Sequence, residues 1–584
     1  MKNQEIAKIL GEIGEYLEMK EEPFKPRAYA KAAEAISSMD QDIEKIYESG
    51  GMAAVEEIPG VGKSIAEKIE EFLKTGKIKY FDDLKKKVPV DVSGLTAIQG
   101  LGPKKIKKLF RELDIRTVED LEAAALSHKV RSIPGFGEKT EEGILKGIQF
   151  LRESGNRFIL GFVGPQIEEI RTRIEEYKGV RRAEIAGSAR RKKETIGDLD
   201  ILAITDHDGE TAQGLMKFFV SMPEVIHVYS QGETRSSVRL ESGMDVDLRI
   251  LDKASYGAGL MYFTGSKNHN IELRKIAIRK GWKLNEYGLF DVGDGKEKLI
   301  AGETEEEIYE KLGLQYIYPE IREDTGEIKA AEENRLPKLI GYNDIMGDLQ
   351  VQTEWTDGED SIESCAMEAI NEGLKYILIT DHSKRLSVAN GLNVERLALQ
   401  GKEIDKLNKR LIDQGYDFRI LKGIECDIMK DGSMDLSDDA LSQLDIVGAS
   451  VHSYFNLPAT DQVERIIRAM ENRNVDIIFH PTARIINQRK AIDMDIDVLI
   501  AAALKTGTTL EIDAFPDRSD LKDEYIRKCV ESGVKLSIDS DAHSKRHMRY
   551  IKAGIAQARR GWAERHNIVN AWPVKKCLEL VKKD

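Results

Sequence analysis

The sequence predicts a multidomain chain: an all-α front, a mixed α/β middle and a βα barrel at the carboxyl end. Three observations carry this. Residues 1–150 are strong helix formers with almost no β-branched alternation. From about Arg157, short apolar runs such as DLDILAIT (198–205) and MDVDLRIL (244–251) alternate with helical stretches. Beyond a charged, Pro-punctuated passage at 319–338, which reads as an interdomain linker, six apolar runs each stop at a polar or charged cluster: KYILITDH, ILKGIECD, IVGASVHS, VDIIFHP, TTLEID and VKLSIDSDAH. A length of 584 residues suits several domains, and 41% hydrophobic with 33% charged residues suits soluble ones. No signal peptide opens the sequence and no stretch approaches 18 unbroken apolar residues, so a cytoplasmic protein without membrane contact is expected. The four cysteines form no CxxC pair, which argues against a thiolate zinc site. A net charge of −14 does not by itself suggest nucleic acid. Acids gathered at metal sites mask bases gathered elsewhere, however.

In the front, IPGVG (58–62), IQGLG (98–102) and IPGFG (133–137) form an internal repeat, each copy leading into a Lys/Glu-rich helical run. Such a turn presents backbone N–H groups to an anion, with glycine allowing close approach. Gly60, Gly62, Lys63, Gly100, Gly102, Gly135 and Gly137 are thus candidate contacts to a nucleic-acid backbone, supported by Lys104, Lys105, Lys107, Lys108 and Lys139. One copy would read as a plain helix–helix turn; three with the same apolar framing read as helix-hairpin-helix units. FKPRAYAKAAEAI (24–36) and IPGVGKSIAEKIEEFLKTGKI (58–78) resemble the N-terminal domain of DNA polymerase beta-like proteins. That resemblance implies a lyase-like helical domain at 1–80 and a fingers-like one at 81–155. It also implies Lys25 and Tyr29 as phosphate contacts and Lys68 as the amine of a 5′-deoxyribose-phosphate lyase. Ser64 and Tyr80 replace basic positions of that pocket, so DNA gripping is expected ahead of lyase chemistry.

In the middle, GSARRKKETIGDLDI (187–201) ends in two carboxylates spaced by two. On a strand, Asp198 and Asp200 leave the same face about 6.5–7 Å apart. Unpaired, they would repel by roughly 2–3 kcal/mol at an effective dielectric near 20. Divalent cations relieve that repulsion and suit in-line phosphoryl transfer. A third acid is expected from the neighbouring run, which offers Asp245 and Asp247. The pattern GS followed by GDxD is the nucleotidyltransferase signature, and it resembles the DNA polymerase X family. YGAGLMYFTGSKNHNIELRKIAIRKGWKLNEYGLF (256–290) extends the likeness. The resemblance implies a palm at 156–260 and a nucleotide-selecting thumb at 261–318. Asp198, Asp200 and Asp247 become the Mg²⁺ or Mn²⁺ triad, Asp247 being chosen by the family's Asp-x-Arg. Ser188, Arg191 and Gly197 would hold the triphosphate, and Tyr262, Phe263 and Gly265 would lie along the sugar. Asn270 would reach the base edge and Arg274 the template. Lys267 departs from relatives that carry an acid there.

At the carboxyl end, four of the ten histidines lie at expected strand ends beside Glu425 and Asp541, where βα barrels build their sites. ITDHDG (204–209) shares the TDH triplet of ITDHS but lacks partner motifs, so His207 is given no role. The set resembles the PHP (polymerase and histidinol phosphatase) domain, here 339–584. That resemblance implies Mn²⁺ or Zn²⁺ on Asp357, His382, Glu425, His452, His480, Asp541 and His543. GDLQVQTEWTDG (347–358) places Gln350 and Gln352 where PHP domains show H-x-H. An amide is a poorer ligand than imidazole, so one metal position is expected to be weak and a 3′–5′ exonuclease reduced or absent.

The whole then reads as a monomeric family X polymerase filling gapped or nicked DNA from deoxynucleoside triphosphates. The alternative is a PHP phosphoesterase or exonuclease that uses the N-terminal half only to hold DNA.

Overall fold

In the first helix, Lys2–Met19, Ile6, Leu10, Ile13 and Leu17 recur at three- and four-residue spacing, and all four are fully buried. The structure is a computed structural model. It describes residues 2–582 except 38, 40, 59, 97, 99, 100, 155, 156, 206–208, 294 and 295. Gly100, His207 and the expected boundary at 155 lie outside the described residues. The chain forms two units, Met1–Asn156 with Ile485–Lys490, and Arg157–Arg484 with Ala491–Asp584.

The first unit is helical. Its repeat is framed by core: Ile58, Val61, Ile98, Leu101, Ile133 and Phe136 are all buried. Gly62 and Gly102 precede the helices Lys63–Thr75 and Pro103–Leu113, and no side chain caps either start. Gly60 has φ +77°, and a Cβ there would lie 3.1 Å from the Ala32 nitrogen. Only glycine fits both conditions.

In the second unit a five-stranded sheet runs Val180–Ile185, Asp198–Thr205, Asp245–Ile250, Arg235–Leu240, Val225–Gln231. The helices Leu160–Glu175 and Gly209–Val220 cover it through Ile167, Ile170, Ile174, Leu215, Met216 and Phe219. The helices Tyr256–Thr264 and Lys267–Arg279 follow, then a small antiparallel sheet, Trp282–Asn285, Gly288–Asp291 and Lys298–Ala301.

Residues 319–338, expected as a linker, are packed instead. Glu320, Arg322 and Glu327 are buried, each against a distant partner. Glu320 accepts from Arg559 at 2.8 Å, Arg322 donates to Glu305 at 2.5 Å, and Glu327 meets His269 at 2.7 Å. The charges that suggested solvent are met inside, Glu320 and Arg322 by ions of opposite sign and Glu327 by hydrogen bonds from His269 and from the Asp324 and Thr325 N–H groups.

The C-terminal region has eight short parallel strands. One sheet holds Gly347–Val351, Tyr376–Ile379 and Arg419–Lys422. The other holds Glu425–Asp427, Gly448–Ser450, Ile477–Ile478, Thr509–Asp513 and Leu536–Asp539. Single parallel bridges join the two sheets: Val351↔Ala542 links the outer strand Gly347–Val351 to the chain just past Leu536–Asp539, and His382↔Glu425 lies past the end of Tyr376–Ile379, the middle strand of the first sheet. Each of the six expected runs holds a strand. ILKGIECD is broken in two at Gly423-Ile424, and Gly347–Val351 adds a strand outside the six.

Candidate active sites

Asp198–Thr205 and Asp245–Ile250 pair in parallel with Asp198 opposite Asp245 and Asp200 opposite Asp247. Alternation then turns all four carboxylates to one cleft of about 310 Å³, shared with Tyr229 and Ser237. Asp245 is taken up by Arg239 at 2.9 Å and Tyr229 at 3.1 Å. Asp247 accepts from Ser237 and, at 3.0 Å, from Arg235. For Asp200, Arg249 and Arg235 give only partial relief. Burial first, then Asp198 and Asp247, push its carboxyl up to about 6. An acid held neutral-prone by two other acids fits a divalent cation, which would remove the repulsion. Gly187 (φ +62°) turns tightly beside it, for a Cβ there would lie 2.8 Å from Asp200 Oδ2.

Ser188 lies on the short helix Gly187–Arg190, and Gly197 is exposed just before Asp198. Arg191 is not turned freely to the cleft. Its Nε donates to Glu323 at 3.0 Å and its Nη1 to the Thr264 carbonyl, beside Gly265. Arg190 pairs with buried Glu305 through both terminal nitrogens, at 2.8 and 2.7 Å. Tyr262 and Phe263 meet edge to face at 5.1 Å, and Arg249 stacks on Phe263 at 4.5 Å. Asn270 Nδ2 donates to the Tyr262 carbonyl at 2.7 Å, and Arg274 Nε to the Asn270 carbonyl at 3.2 Å.

In the first unit Lys25, Tyr29 and Lys68 come together. Lys68 Nζ lies 6.0 Å from the Tyr29 ring and 4.9 Å from that of Tyr80, and donates to the Ser64 carbonyl at 2.8 Å. Burial chiefly lowers its pKa, as a nucleophilic amine requires.

At the carboxyl ends of the C-terminal strands, ligand atoms converge within 4.8 Å in two sets: Asp357, His382 and His543, and His382, Glu425 and His452. His480 joins through Glu425, its Nε2 2.8 Å from Oε1. Imidazole and carboxylate converging in this way suit Mn²⁺ or Zn²⁺. Asp357 Oδ1 is buried without a hydrogen bond, which fits a cation there. Glu425 is held well below the carboxylate range: burial opposes this, but His382 and His452 outweigh it. Burial pulls His452 down, yet Glu425 and Asp427 push it up to about 9. His480 (φ +29°) and Asp541 (φ +49°) hold strained backbone at strand ends.

Asp541 falls in neither set. Arg518 Nε lies 3.2 Å from it and 3.5 Å from Asp513. Gln352 Nε2 donates to Glu425 Oε2 at 3.1 Å, placing a proton donor on a candidate ligand carboxylate. Both amide atoms of buried Gln350 lack a hydrogen bond. Sequence reasoning passed over Asp427, Glu511, Asp513 and Arg518. Three of these stand inside quoted runs, as the charged ends of IECD and LEID.

Family models match here: DNA polymerase beta thumb over residues 259–323, a helix-hairpin-helix domain over 1–78 and a SAM-like helix-hairpin-helix tandem over 92–149. The chain is 39% identical over 587 residues to the DNA polymerase/3′-5′ exonuclease PolX of Bacillus subtilis, with all of both chains covered. It is 24% identical to rat DNA polymerase lambda, over 55% of this chain and 56% of that one. With Arabidopsis thaliana DNA polymerase lambda the identity is 26%, over 55% and 62%.

Proposed function

The chain belongs to the family X DNA polymerases, of the PolX kind that joins a polymerase to a 3′-5′ exonuclease, and from that premise we propose that it fills short gaps in DNA during repair. The observation that carries this reading is the register that sets Asp200 opposite Asp247, with Asp198 on the same face beside the Gly187-Ser188 turn. Asp198, Asp200 and Asp247 would hold Mg²⁺ or Mn²⁺. Asp357, His382 and His543, and Glu425, His452 and His480, would hold Mn²⁺ or Zn²⁺ in a closed, distorted barrel of the PHP type. Such ions, when bound, lower the pKa of an attacking oxygen and neutralise phosphate charge.

The chain's own residues do the rest. The glycine turns of the first unit grip the DNA backbone through Gly60, Gly62, Lys63, Gly102, Gly135 and Gly137, with Lys25 and Tyr29 at an end phosphate. Ser188, Arg191 and Gly197 orient the triphosphate, Arg191 exchanging Glu323 for phosphate oxygens. Tyr262 and Phe263, braced by Arg249, wall the sugar against a 2′-hydroxyl. Asn270 faces the base edge and Arg274 the template. Lys68, between two aromatic rings, is the candidate lyase amine. In the barrel, the Gln352 amide donates to Glu425 where a stronger ligand is expected, and the exonuclease is weakened accordingly.

The test uses a labelled primer on one-nucleotide-gapped DNA, with and without deoxynucleotides. Lengthening that requires nucleotides and disappears in Asp200→Ala supports the polymerase. Primer shortening by the parent chain with no nucleotide-dependent lengthening, unchanged by Asp198→Ala and Asp200→Ala, would favour the phosphoesterase alternative.

A further inference from the structure

The loop between the glycine-serine turn and Asp198 is gripped by two arginines of the barrel. Arg560 ends the helix Ile551–Arg560 and is almost fully buried. Its Nη1 donates to the Arg191 carbonyl at 2.8 Å and to Glu323 Oε1 at 3.1 Å, and its Nη2 to Asp523. Arg191 Nε donates to that same Glu323 oxygen at 3.0 Å. Three residues on, Glu194 receives both terminal nitrogens of Arg484, at 2.6 and 3.2 Å. Arg484 is itself fixed by its Nε on the Arg518 carbonyl at 2.9 Å. The two ends of the stretch Arg191–Glu194 therefore hang on guanidiniums 369 and 290 residues away.

We infer that Arg560, supported by Arg484, is a positioning residue for the incoming nucleotide: it anchors the Arg191 main chain and shares Glu323, so that the Arg191 side chain is oriented yet can be released to a triphosphate. The inference rests on the reading of Arg191 as a triphosphate contact. The physics is competition for one oxygen. A carboxylate facing Arg191 alone would hold it in a charge-assisted pair that the nucleotide must break. With Arg560 on the same Oε1, and Lys193 Nζ 3.8 Å from it, the negative charge is divided, and Arg191 leaves at lower cost. Meanwhile the bond from Arg560 to the Arg191 carbonyl keeps the loop in place while the side chain turns, so less order has to be gained on binding.

The experiment measures KM and kcat for the complementary deoxynucleotide on one-nucleotide-gapped DNA, with the full-length chain. Arg560→Ala is expected to raise KM about ten-fold, the worth of one charge-assisted hydrogen bond, and to leave kcat nearly unchanged. Arg560→Lys, which keeps the charge but not the forked geometry, recovers part of the loss. Glu323→Gln added to Arg560→Ala brings KM back toward the parent value, because the competing charge is gone; a plain packing defect would not be reversed by a second substitution. Unchanged KM in Arg560→Ala and Arg560→Lys, with Arg191→Ala raising it, overturns the inference while leaving the site reading intact. Unchanged KM in Arg191→Ala overturns the site reading and the inference built on it.

Discussion

Gln352 shows how much one side chain decides. Its amide nitrogen rests on Glu425 at 3.1 Å, and the Gln350 amide two residues before it is buried without a protein hydrogen-bond partner. Imidazoles at both positions would turn this corner into a ligand set. Gln350→His with Gln352→His is expected to add one metal ion per chain and to raise primer shortening by about ten-fold or more, read by elemental analysis and by the nucleotide-free primer assay. Much at this scale was legible beforehand. The two-residue spacing of Asp198 and Asp200 already implies one face, and the second acidic run supplied the partner that register places opposite. Arg518 was not legible. Its partners Asp513 and Asp541 arrive from two different strands, and no local pattern encodes such a meeting.

Among elements, the helix Glu305–Leu312 is fastened to the short helix Gly187–Arg190 by a largely buried triad. Glu305 receives Arg190 at 2.7 Å and Arg322 at 2.5 Å. Burial works to raise the Glu305 pKa, but the two guanidiniums hold it far below the usual range. A carboxyl depressed in the folded state contributes stability that is complete above its unfolded pKa of about 4.3 and is lost as pH falls toward the folded value. Glu305→Gln should therefore cost about 3–5 kcal/mol at neutral pH, because fully buried Arg322 and partly buried Arg190 are left without a counterion. The gap between variant and parent should narrow below about pH 4, as urea unfolding at pH 7 and pH 3.5 would show. The same chemistry explains why 319–338 read as a linker. Its charges look solvated until their partners Arg559, Glu305 and His269 are brought in by the fold. The strand Gly347–Val351 was passed over for a like reason, since Asp348 is fully buried and is satisfied by Ser540.

Across the whole molecule the acidic balance and the DNA-handling role are compatible, because four carboxylates line one cleft and others meet at the C-terminal strand ends, while exposed lysines flank the glycine turns. The order of helical, mixed and parallel regions was readable from texture alone. The packing of residues 157–484 and 491–584 into one unit was not, since it depends on pairs such as Arg484–Glu194 and Arg560–Glu323 that join residues far apart in sequence. Among the described residues no helix is long and apolar enough to cross a membrane.

The two single bridges that join the barrel's sheets sit among its candidate ligands. One is made by His382 and Glu425 themselves, and the other, Val351↔Ala542, is flanked by Gln350, Gln352, Asp541 and His543. A cation held by these residues would act as a rivet at the seam it sits on, and its loss would become a mechanical event. Metal at one hundred times its dissociation constant would add about 2.7 kcal/mol to the folded state. Stripping it with a chelator should lower the melting temperature by several degrees and speed amide exchange at Val351 and Ser383, with no DNA or nucleotide in the tube. Unchanged melting and exchange would mean that the seams hold without their rivets.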